Sequence, residues 1–249
     1  MKVTAVILTR NEENNIQKCI KSLAWVDEVV IIDDYSHDNT AKVAEQCGAK
    51  IYLRKLNSNF AAARNYGQGK ASNEWVLFID ADEIVPHELA HEIAKLESAD
   101  MFAYAIKRID HLWGKELKHG DVANTWIVRL IKKDTGKWER YVHEVWMSKD
   151  SSKTSRLRGV INHYPHQTIN EFVESIRSYS LLHTKVLKEQ GVKASIWQVV
   201  FYPVGKFVSN YFIKLGLLDG TAGFVHAMMM SFHSFIARSE LLVQQNEAS

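Results

Sequence analysis

The sequence predicts an α/β protein built on a mostly parallel sheet with helices on both faces. Up to about residue 96, short apolar runs rich in Val and Ile alternate with stretches of helical spacing, which is typical of such a sheet. Each apolar run ends in polar or acidic residues. After about residue 100, strand-like runs are broken by Gly114, Gly120 and Gly136 instead of by helices. This second pattern favours an antiparallel continuation of the same sheet.

The elements follow from these patterns in chain order. Strands are predicted at Val3–Thr9, Glu28–Asp33, Lys50–Leu53 and 75–80, and later at 101–109 and 125–131. Helices are predicted at 14–24, from Thr40, at 61–71 and from Pro86, since Pro favours the first turn of a helix. A longer helix at 169–190 and two further apolar helices complete the chain.

Composition restricts the possible classes of protein. The 249 residues are 46% hydrophobic and 24% charged, which is ordinary for a globular protein and excludes disordered and fibrous classes. A net charge of +2 is too small to indicate a nucleic-acid partner. Cys19 and Cys47 have no CxxC spacing, so neither a disulfide framework nor a zinc site is indicated, and a reduced, cytoplasmic setting fits best.

Membrane insertion is not expected from the apolar runs. The first run is too short for a signal peptide, and no window of about 18 uncharged apolar residues occurs to form a spanning helix. We therefore expect the protein to work on the side of the membrane where it is made.

The most informative stretch is the apolar run 75–80, which ends in Asp80 and is followed by Asp82. Mg²⁺ and Mn²⁺ bind oxygen ligands and commonly take one or two protein carboxylates, with water and substrate phosphates in the other positions. Two aspartates at a strand end therefore suit a nucleotide diphosphate. The alternative is a solvated turn, because Asp is common in turns.

Two other strand ends support the functional interpretation. Thr9, Asn11 and Glu12 follow the first predicted strand, and Asp34 follows the second. In open parallel sheets ligands bind outside the carboxyl ends of the strands, so these groups are expected to converge on one edge. Asp38 is interpreted as a cap for the helix that begins near Thr40.

Four motifs in this order resemble those of the inverting family 2 glycosyltransferases. They are Val6-Ile7-Leu8-Thr9-Arg10-Asn11-Glu12-Glu13, Ile31-Ile32-Asp33-Asp34-Tyr35-Ser36-His37-Asp38-Asn39-Thr40, Ala62-Ala63-Arg64-Asn65-Tyr66-Gly67 and Asp80-Ala81-Asp82. Three later segments resemble the branch of lipopolysaccharide core β-1,4-glucosyltransferases. They are Trp138-Glu139-Arg140-Tyr141-Val142-His143-Glu144, Ile161-Asn162-His163-Tyr164 and Gly216-Leu217-Leu218-Asp219-Gly220-Thr221-Ala222-Gly223.

The resemblance implies a GT-A fold, with a glycosyltransferase domain at 1–168 and a C-terminal helical extension at 169–249. Within the domain, 1–98 would form the nucleotide-binding half and 99–168 the acceptor half. It also implies roles for individual residues: Thr9, Asn11 and Glu12 in the nucleotide pocket, Asp34 at the base or ribose, Arg64 at the base or diphosphate, and Asp82, with Asp80 nearby, at a bridging metal. One departure is Tyr35, which stands where the family usually has Gly and puts the local turn geometry in question.

Inverting transfer needs a general base for the acceptor hydroxyl, and a single carboxylate suffices. The resemblance places Glu144 in that role; the alternative is a surface ion pair with Arg140. It also suggests His163 as a third metal ligand, with His143 as the competitor, although a lone His is more often structural. His111, His119 and His166 are expected either to contact the acceptor or to be solvated.

The segment 195–218 carries apolar residues at helical spacing with Lys206 and Lys214 at the edge of the stripe. It is interpreted either as a core-packing pair of helices or as a helix lying in the interface of an anionic bilayer. The run Met228-Met229-Met230-Ser231-Phe232 would cover the same surface or form a dimer contact.

Together these features predict a Mg²⁺- or Mn²⁺-dependent inverting transferase of a hexose, glucose from UDP-glucose, to heptose of a lipid-linked lipopolysaccharide inner core. It would act in the cytoplasm, or peripherally on the cytoplasmic face of the inner membrane. The alternatives are transfer to polyprenyl phosphate, for which Lys132 and Lys133 would bind the phosphate, and a non-catalytic sugar-nucleotide-binding scaffold. A nucleotidyltransferase ranks last, since no Gly-rich basic loop follows the first strand.

Overall fold

The structure is a computed structural model that describes residues 1–57, 59–97, 100–140, 144–166 and 168–247. The chain divides into two compact units. The first comprises Met1–Arg108 and Thr125–His163, and the second comprises Ile109–Asn124 and Tyr164–Ser249. The predicted domain boundary between residues 168 and 169 stays a prediction.

The first half of the chain alternates strand and helix as its sequence indicates. The elements are β1 (Val3–Thr9), α1 (Ile16–Ser22), β2 (Glu28–Asp33), α2 (Thr40–Gln46), β3 (Lys50–Leu53), α3 (Phe60–Lys70), β4 (Trp75–Asp80), β5 (Glu83–Ile84) and α4 (His87–Ala94). After them come β6 (Ala103–Leu112), β7 (Lys115–Glu116), β8 (Thr125–Lys132), β9 (Gly136–Glu139), β10 (Val145–Ser148) and β11 (Thr154–His163).

The strands form a mixed sheet. Among the described residues the order is β3-β2-β1-β4-β8-β6-β11-β5, and β7 pairs with β6 beside this path. β1 runs parallel to β2 and β4, and β2 runs parallel to β3, whereas β8 is antiparallel to both β4 and β6. The predicted parallel sheet with an antiparallel continuation is therefore confirmed.

The central strands are buried on both faces because helices cover both. Four successive residues of β1 and four of β4, for example Val6 and Phe78, are inaccessible to solvent. The apolar side chains fall into two large clusters, one containing Ile7, Leu77 and Ile79 and the other Val6, Val76 and Phe78, as alternation along a strand requires.

Gly67 brings α3 close to the sheet. A Cβ atom at this position would lie 2.5 Å from Cγ1 of Val6 and 3.1 Å from Cγ1 of Ile32. No side chain fits in that space, so glycine allows the helix to pack tightly on β1 and β2. The close packing sets the position of Arg64, one turn earlier on the same helix.

The second unit is mainly helical. It contains the end of β6, β7, α5 (Ile169–Glu189), α6 (Ile196–Val208) and α7 (Gly220–Glu247). α6 passes into a π-helical turn at Ser209–Ile213, and Leu215 has a left-handed conformation with φ of +59°. Within the described part of the chain, every helix is too short or too polar to cross a bilayer.

Sequence periodicity misplaced some boundaries. The first helix is shorter than the predicted 14–24 because residues 12–15 form a turn, in which the Asn15 N–H donates to the Glu12 carbonyl at 3.0 Å. The short strands β5, β7 and β10 have two to four residues and were not predicted. Such short strands carry too little alternation to be recognised.

Candidate active site at the carboxyl ends of the strands

The nine residues predicted for the site all lie in the first unit. Thr9, Asn11 and Glu12 follow β1, Asp34 follows β2, and Asp80 and Asp82 follow the buried part of β4. Arg64 comes from α3, Glu144 directly precedes β10, and His163 ends β11. His143, the competing ligand, lies outside the described residues.

The loops after β1 and β2 are joined by a hydrogen-bond network. Thr9 Oγ1 donates to Asp33 Oδ1 at 3.0 Å, and Ser36 Oγ donates to the same atom at 2.5 Å. The Asn11 N–H donates to Ser36 Oγ at 2.9 Å, and the Glu12 N–H donates to Thr40 Oγ1 at 2.7 Å. These bonds fix the two strand ends beside each other.

Tyr35 adopts the backbone conformation that a glycine would provide. Its φ is +53°, and Asn11 opposite has φ of +56°. The left-handed conformation costs about 1–2 kcal/mol for a bulky residue, which glycine would avoid.

Asp34 is held at the end of β2. Its Oδ1 accepts from the Leu56 N–H at 2.9 Å, and its Oδ2 accepts from Arg10 at 3.1 Å. Asp38 Oδ1 accepts from the Thr40 N–H at 3.0 Å, but Asp38 is not the cap of α2 as predicted: the N-cap is Asn39, whose side chain makes no capping hydrogen bond.

Glu12 faces the acidic end of β4. Burial is the main reason that the pKa of Glu12 is raised to about 7; the charges of Asp82, Asp38 and Asp80 add to this effect, and a hydrogen bond from Asn15 opposes it. The carboxylates around Glu12 disfavour one more negative charge, and a cation bound beside them would be stabilised.

Arg64 connects Glu144, just before β10, to Asp80 at the end of β4. Its Nε donates to Glu144 Oε1 at 2.7 Å, and its Nη2 donates to Asp80 Oδ1 at 2.9 Å. The guanidinium lies 5.2 Å from the ring centroid of Trp138 and 5.6 Å from that of Phe78. Only 4% of Arg64 is exposed, and its Nη1 has no hydrogen-bond partner among the described residues.

A second buried arginine, Arg129 on β8, was missed in the sequence. Its Nη2 donates to both Asp80 Oδ2 and Glu83 Oε1 at 2.6 Å. The signal was a single charged residue within the apolar run Trp126-Ile127-Val128-Arg129-Leu130-Ile131, since a charge buried in a strand needs a partner.

These contacts determine the charge of Asp80 and Glu83. Burial opposes the ionisation of Asp80, but Arg129 and Arg64 outweigh it and hold the pKa of that carboxyl well below its usual range. Burial raises the pKa of Glu83, with Arg129 opposing and the Asp80 charge adding to the rise. Both Asp80 oxygens accept from guanidinium groups, so Asp80 anchors the site.

Asp82 and His163 lie in contact at the ends of β4 and β11. His163 Nε2 lies 3.1 Å from Asp82 Oδ2. Within the described residues, no three His, Cys, Asp or Glu side chains gather into a metal-binding group.

Other predicted residues have structural contacts. Lys132 pairs with Glu74 at 3.0 Å, and Lys133 donates to the Ala71 carbonyl at 2.7 Å. In the second unit, His119 Nδ1 lies 2.8 Å from Asp219 Oδ1. His111 stacks on Tyr164 and His166 stacks on Phe172.

The sheet, with its acidic strand ends and carboxylate–arginine network, defines a glycosyltransferase of the GT-A type. The chain belongs to glycosyl transferase family 2, whose model matches residues 4–145, more than half of its length. The family and the enzyme class predicted from the motifs are confirmed, and transfer of a sugar from a nucleotide donor is the activity.

Similar proteins extend over nearly the whole chain. An uncharacterized glycosyltransferase of Rickettsia typhi is 28% identical over 96% of this chain and 86% of its own length. The lipopolysaccharide core biosynthesis glycosyltransferase LpsC of Rhizobium meliloti is 25% identical over 97% of this chain and 92% of its own length. The crystal structure of S. aureus TarS 1-349 shares the fold, with a TM-score of 0.51 and 15% identity over 100% of this chain and 92% of that one.

Proposed function

We propose that the protein is a metal-dependent inverting glycosyltransferase that moves glucose from UDP-glucose to heptose in a lipid-linked lipopolysaccharide inner core. Glu144 is the general base, Asp82 and His163 hold Mg²⁺ or Mn²⁺, and Thr9, Asn11, Glu12, Asp34, Arg64 and Asp80 form the nucleotide-sugar site. The protein acts on the cytoplasmic face of the inner membrane.

The observation that carries this proposal is the guanidinium of Arg64 between Glu144 and Asp80. Arg64 thus binds both the proposed base, Glu144, and Asp80, two residues before the proposed metal ligand Asp82. In the proposed reaction Glu144 acts at the acceptor and Asp82 at the leaving diphosphate, so the common contact with Arg64 supports a fixed distance between them. The unpartnered Nη1 of Arg64 is a buried donor available to a diphosphate oxygen.

The proposed step is a single displacement. The Glu144 carboxylate accepts the proton of the acceptor hydroxyl while that oxygen forms a bond to the anomeric carbon of glucose. The bond from the anomeric carbon to the diphosphate breaks, and UDP leaves with its electron pair. Arg64 holds Glu144 through Oε1. Among the described residues, Oε2 accepts no hydrogen bond and is free to receive the proton.

The cation would be held by Asp82 and His163. When bound, it stabilises the negative charge that develops on the departing diphosphate. Arg64 adds a fixed positive charge on the same side. Asp80 and Arg129 keep Arg64 in place through a chain of two ion pairs.

Two observations support the proposed acceptor: the similarity to LpsC and a pocket beside α3 and β9. LpsC, similar over nearly its whole length, is named for lipopolysaccharide core biosynthesis. A pocket of about 270 Å³ lies between the start of α3 and the end of β9, lined by Asn59, Asn65, Trp138 and Arg140 among others. Its asparagine and arginine side chains can form hydrogen bonds with sugar hydroxyls, and the buried Trp138 beneath them contacts Arg64.

Transfer to polyprenyl phosphate is less well supported. The basic cluster that it requires, Lys132 and Lys133, is engaged with Glu74 and with the Ala71 carbonyl. A non-catalytic scaffold would not need the buried carboxylate–arginine network. Burying these charges costs desolvation free energy, and apolar side chains of similar volume often give equal or greater stability.

Glu144→Gln tests the general base. The variant should bind UDP-glucose as the wild type does but lower kcat about a hundredfold to ten-thousandfold, because the amide cannot accept the proton. Coupled measurement of UDP release gives kcat, and calorimetric titration gives donor affinity. Glu45→Gln, at an exposed position on α2, is the matched control and should keep wild-type turnover. Undiminished turnover in Glu144→Gln would exclude the base role.

Asp82→Asn in the same assays separates the metal role. It should weaken the gain in UDP affinity that Mg²⁺ or Mn²⁺ provides, whereas Glu144→Gln should leave that gain intact. If both variants respond equally to the cation, Asp82 is not a ligand.

A further inference from the structure

The second unit exposes an unusually apolar stretch of chain. Twelve large apolar side chains between residues 196 and 218 are exposed, which is nearly half of the 27 exposed in the described chain. They are Ile196, Trp197, Val200, Phe201, Tyr202, Val204, Val208, Phe212, Ile213, Leu215, Leu217 and Leu218, and we call them the 196–218 surface. Trp197 is 69% exposed and Ile213 is 73% exposed, so these are not partly buried core residues.

On α6 the exposed side chains share one face. With about 100° of rotation per residue, Ile196, Trp197, Val200, Phe201, Val204 and Val208 fall within an arc of about 140°. The opposite face contains the buried Val199 and Pro203 and packs on α7, where Ser231 Oγ donates to the Pro203 carbonyl at 2.7 Å. The apolar arc is therefore the outer face of a packed helix.

The π-helical turn is fixed in the same unit. Asn210 is buried, its Nδ2 donates to Asp121 Oδ2 at 2.9 Å, and its Oδ1 accepts from the Asp121 N–H at 2.8 Å. Lys206 and Lys214 both bind the Asp121 carboxylate, which lowers the pKa of Asp121 despite its burial. The surface is thus held in shape by polar contacts behind it.

The charges of this stretch have one sign. Residues 190–218 include Lys193, Lys206 and Lys214 and no carboxylate. Tyr202, which is also exposed but lies about 100° beyond the arc, stacks under Arg238, whose guanidinium carbon lies 3.5 Å from the ring centroid. Apart from the two lysines and Gly205, every exposed residue from 196 to 218 is apolar. A protein partner needs about one hydrogen bond per 100–200 Å² of interface, which this surface does not supply.

We propose that the 196–218 surface binds the headgroup and upper acyl region of an anionic lipid bilayer. Exposed Trp and Phe with aliphatic neighbours are the composition of a helix lying in such an interface, and three lysines flank this one: Lys193, and Lys206 and Lys214, which share the Asp121 carboxylate. This inference explains how the protein would be held at the cytoplasmic face of the inner membrane, where the proposed function puts it. It rests on the proposed function only for the identity of that membrane. It requires no sugar transfer, so it is tested separately.

The test is flotation of the full chain with vesicles, without donor or acceptor. The vesicles contain phosphatidylcholine and phosphatidylglycerol in equal amounts, with pure phosphatidylcholine for comparison. The wild type should float with the anionic vesicles. Trp197→Ser combined with Phe201→Ser should lower the partition constant between water and vesicles, calculated from the bound fraction, at least tenfold. Val173→Ser combined with Leu181→Ser, which removes two exposed apolar residues of α5, should bind as the wild type does.

Circular dichroism and UDP release show whether each variant is folded and active, so loss of binding is distinguished from loss of structure. Equal flotation of the Trp197/Phe201 and Val173/Leu181 variants would overturn the proposal, as would a wild type that stays unbound. A wild-type dimer in light scattering that dissociates in the Trp197/Phe201 variant, without vesicle binding, would instead identify a second copy of the chain as the occupant.

Discussion

Asp80 and Arg129 show how single buried charges organise this site. Arg129 is 2% exposed, and its Nη2 donates to two carboxylates, Asp80 and Glu83. Arg64 completes a line of four charged side chains that ends at Glu144. Since buried ions are costly without partners, each member depends on the others.

Arg129→Met should destabilise the fold by about 3–5 kcal/mol, because it leaves the fully buried Glu83 without its cation and Asp80 with Arg64 alone. Urea unfolding followed by tryptophan fluorescence measures the change. Arg156→Met is the control, since this exposed guanidinium stacks on Trp126 at 4.6 Å and its loss should cost at most about 1 kcal/mol. If the two variants unfold alike, the buried network does not stabilise the protein.

At the residue scale, the sequence identified side-chain types better than it identified their partners. The acidic strand ends at Glu12, Asp34 and Asp82 were recognised because they interrupt apolar runs. The partners of Asp80 were not recognised, because Arg64 and Arg129 are 16 and 49 residues away from it in sequence. Long-range pairing of this kind depends on the register between β4 and β8, which periodicity does not reveal.

At the scale of elements, Glu28 joins the strands at the end of the sheet away from the site. At the start of β2, it accepts from Thr4 Oγ1 on β1, from Lys50 Nζ on β3 and from Ser72 Oγ before β4, at 2.7–2.8 Å. Burial alone would raise the pKa of Glu28, but these bonds and one from the Ser72 N–H outweigh it and lower the pKa to about 2.

The Glu28 contacts predict a pH-dependent stability. The carboxyl pKa falls from 4.5 to about 2 on folding, so its stabilisation is complete above pH 4.5 and is lost as the pH falls toward 2. Glu28→Gln should therefore lower the free energy of unfolding by about 1–3 kcal/mol at pH 7. Denaturant unfolding at several pH values should show the difference shrinking below pH 4.5. A difference that does not change with pH would contradict the assignment to the ionised carboxylate.

Element type was more predictable than element ends. The long alternating strands and the 169–189 helix follow their patterns, because amphipathic burial determines them. The end of the α-helix at Val208 could not be predicted from the spacing of apolar residues, because that spacing continues to Leu215. The π-helical turn and the left-handed Leu215 depend instead on contacts between Asn210, Lys214 and Asp121, far apart in sequence.

At the scale of the whole molecule, the two proposals concern different units. The first holds all the residues proposed for donor binding and catalysis, and the second holds the 196–218 surface. Helix α5 and α7 give the second unit its own core around Phe172, Ile176 and Ala222.

The central claim, inverting transfer with Glu144 as the base, is tested most directly by the linkage of the product. The protein is incubated with UDP-glucose, Mn²⁺ and a heptose-containing inner-core acceptor, and the anomeric configuration of the transferred glucose is read by NMR. A single displacement at the α-linked donor predicts a β-linked glucose from the wild type, and formation of this product about a hundredfold to ten-thousandfold more slowly by Glu144→Gln. An α-linked product, or the same product formed at the same rate by Glu144→Gln, would contradict it.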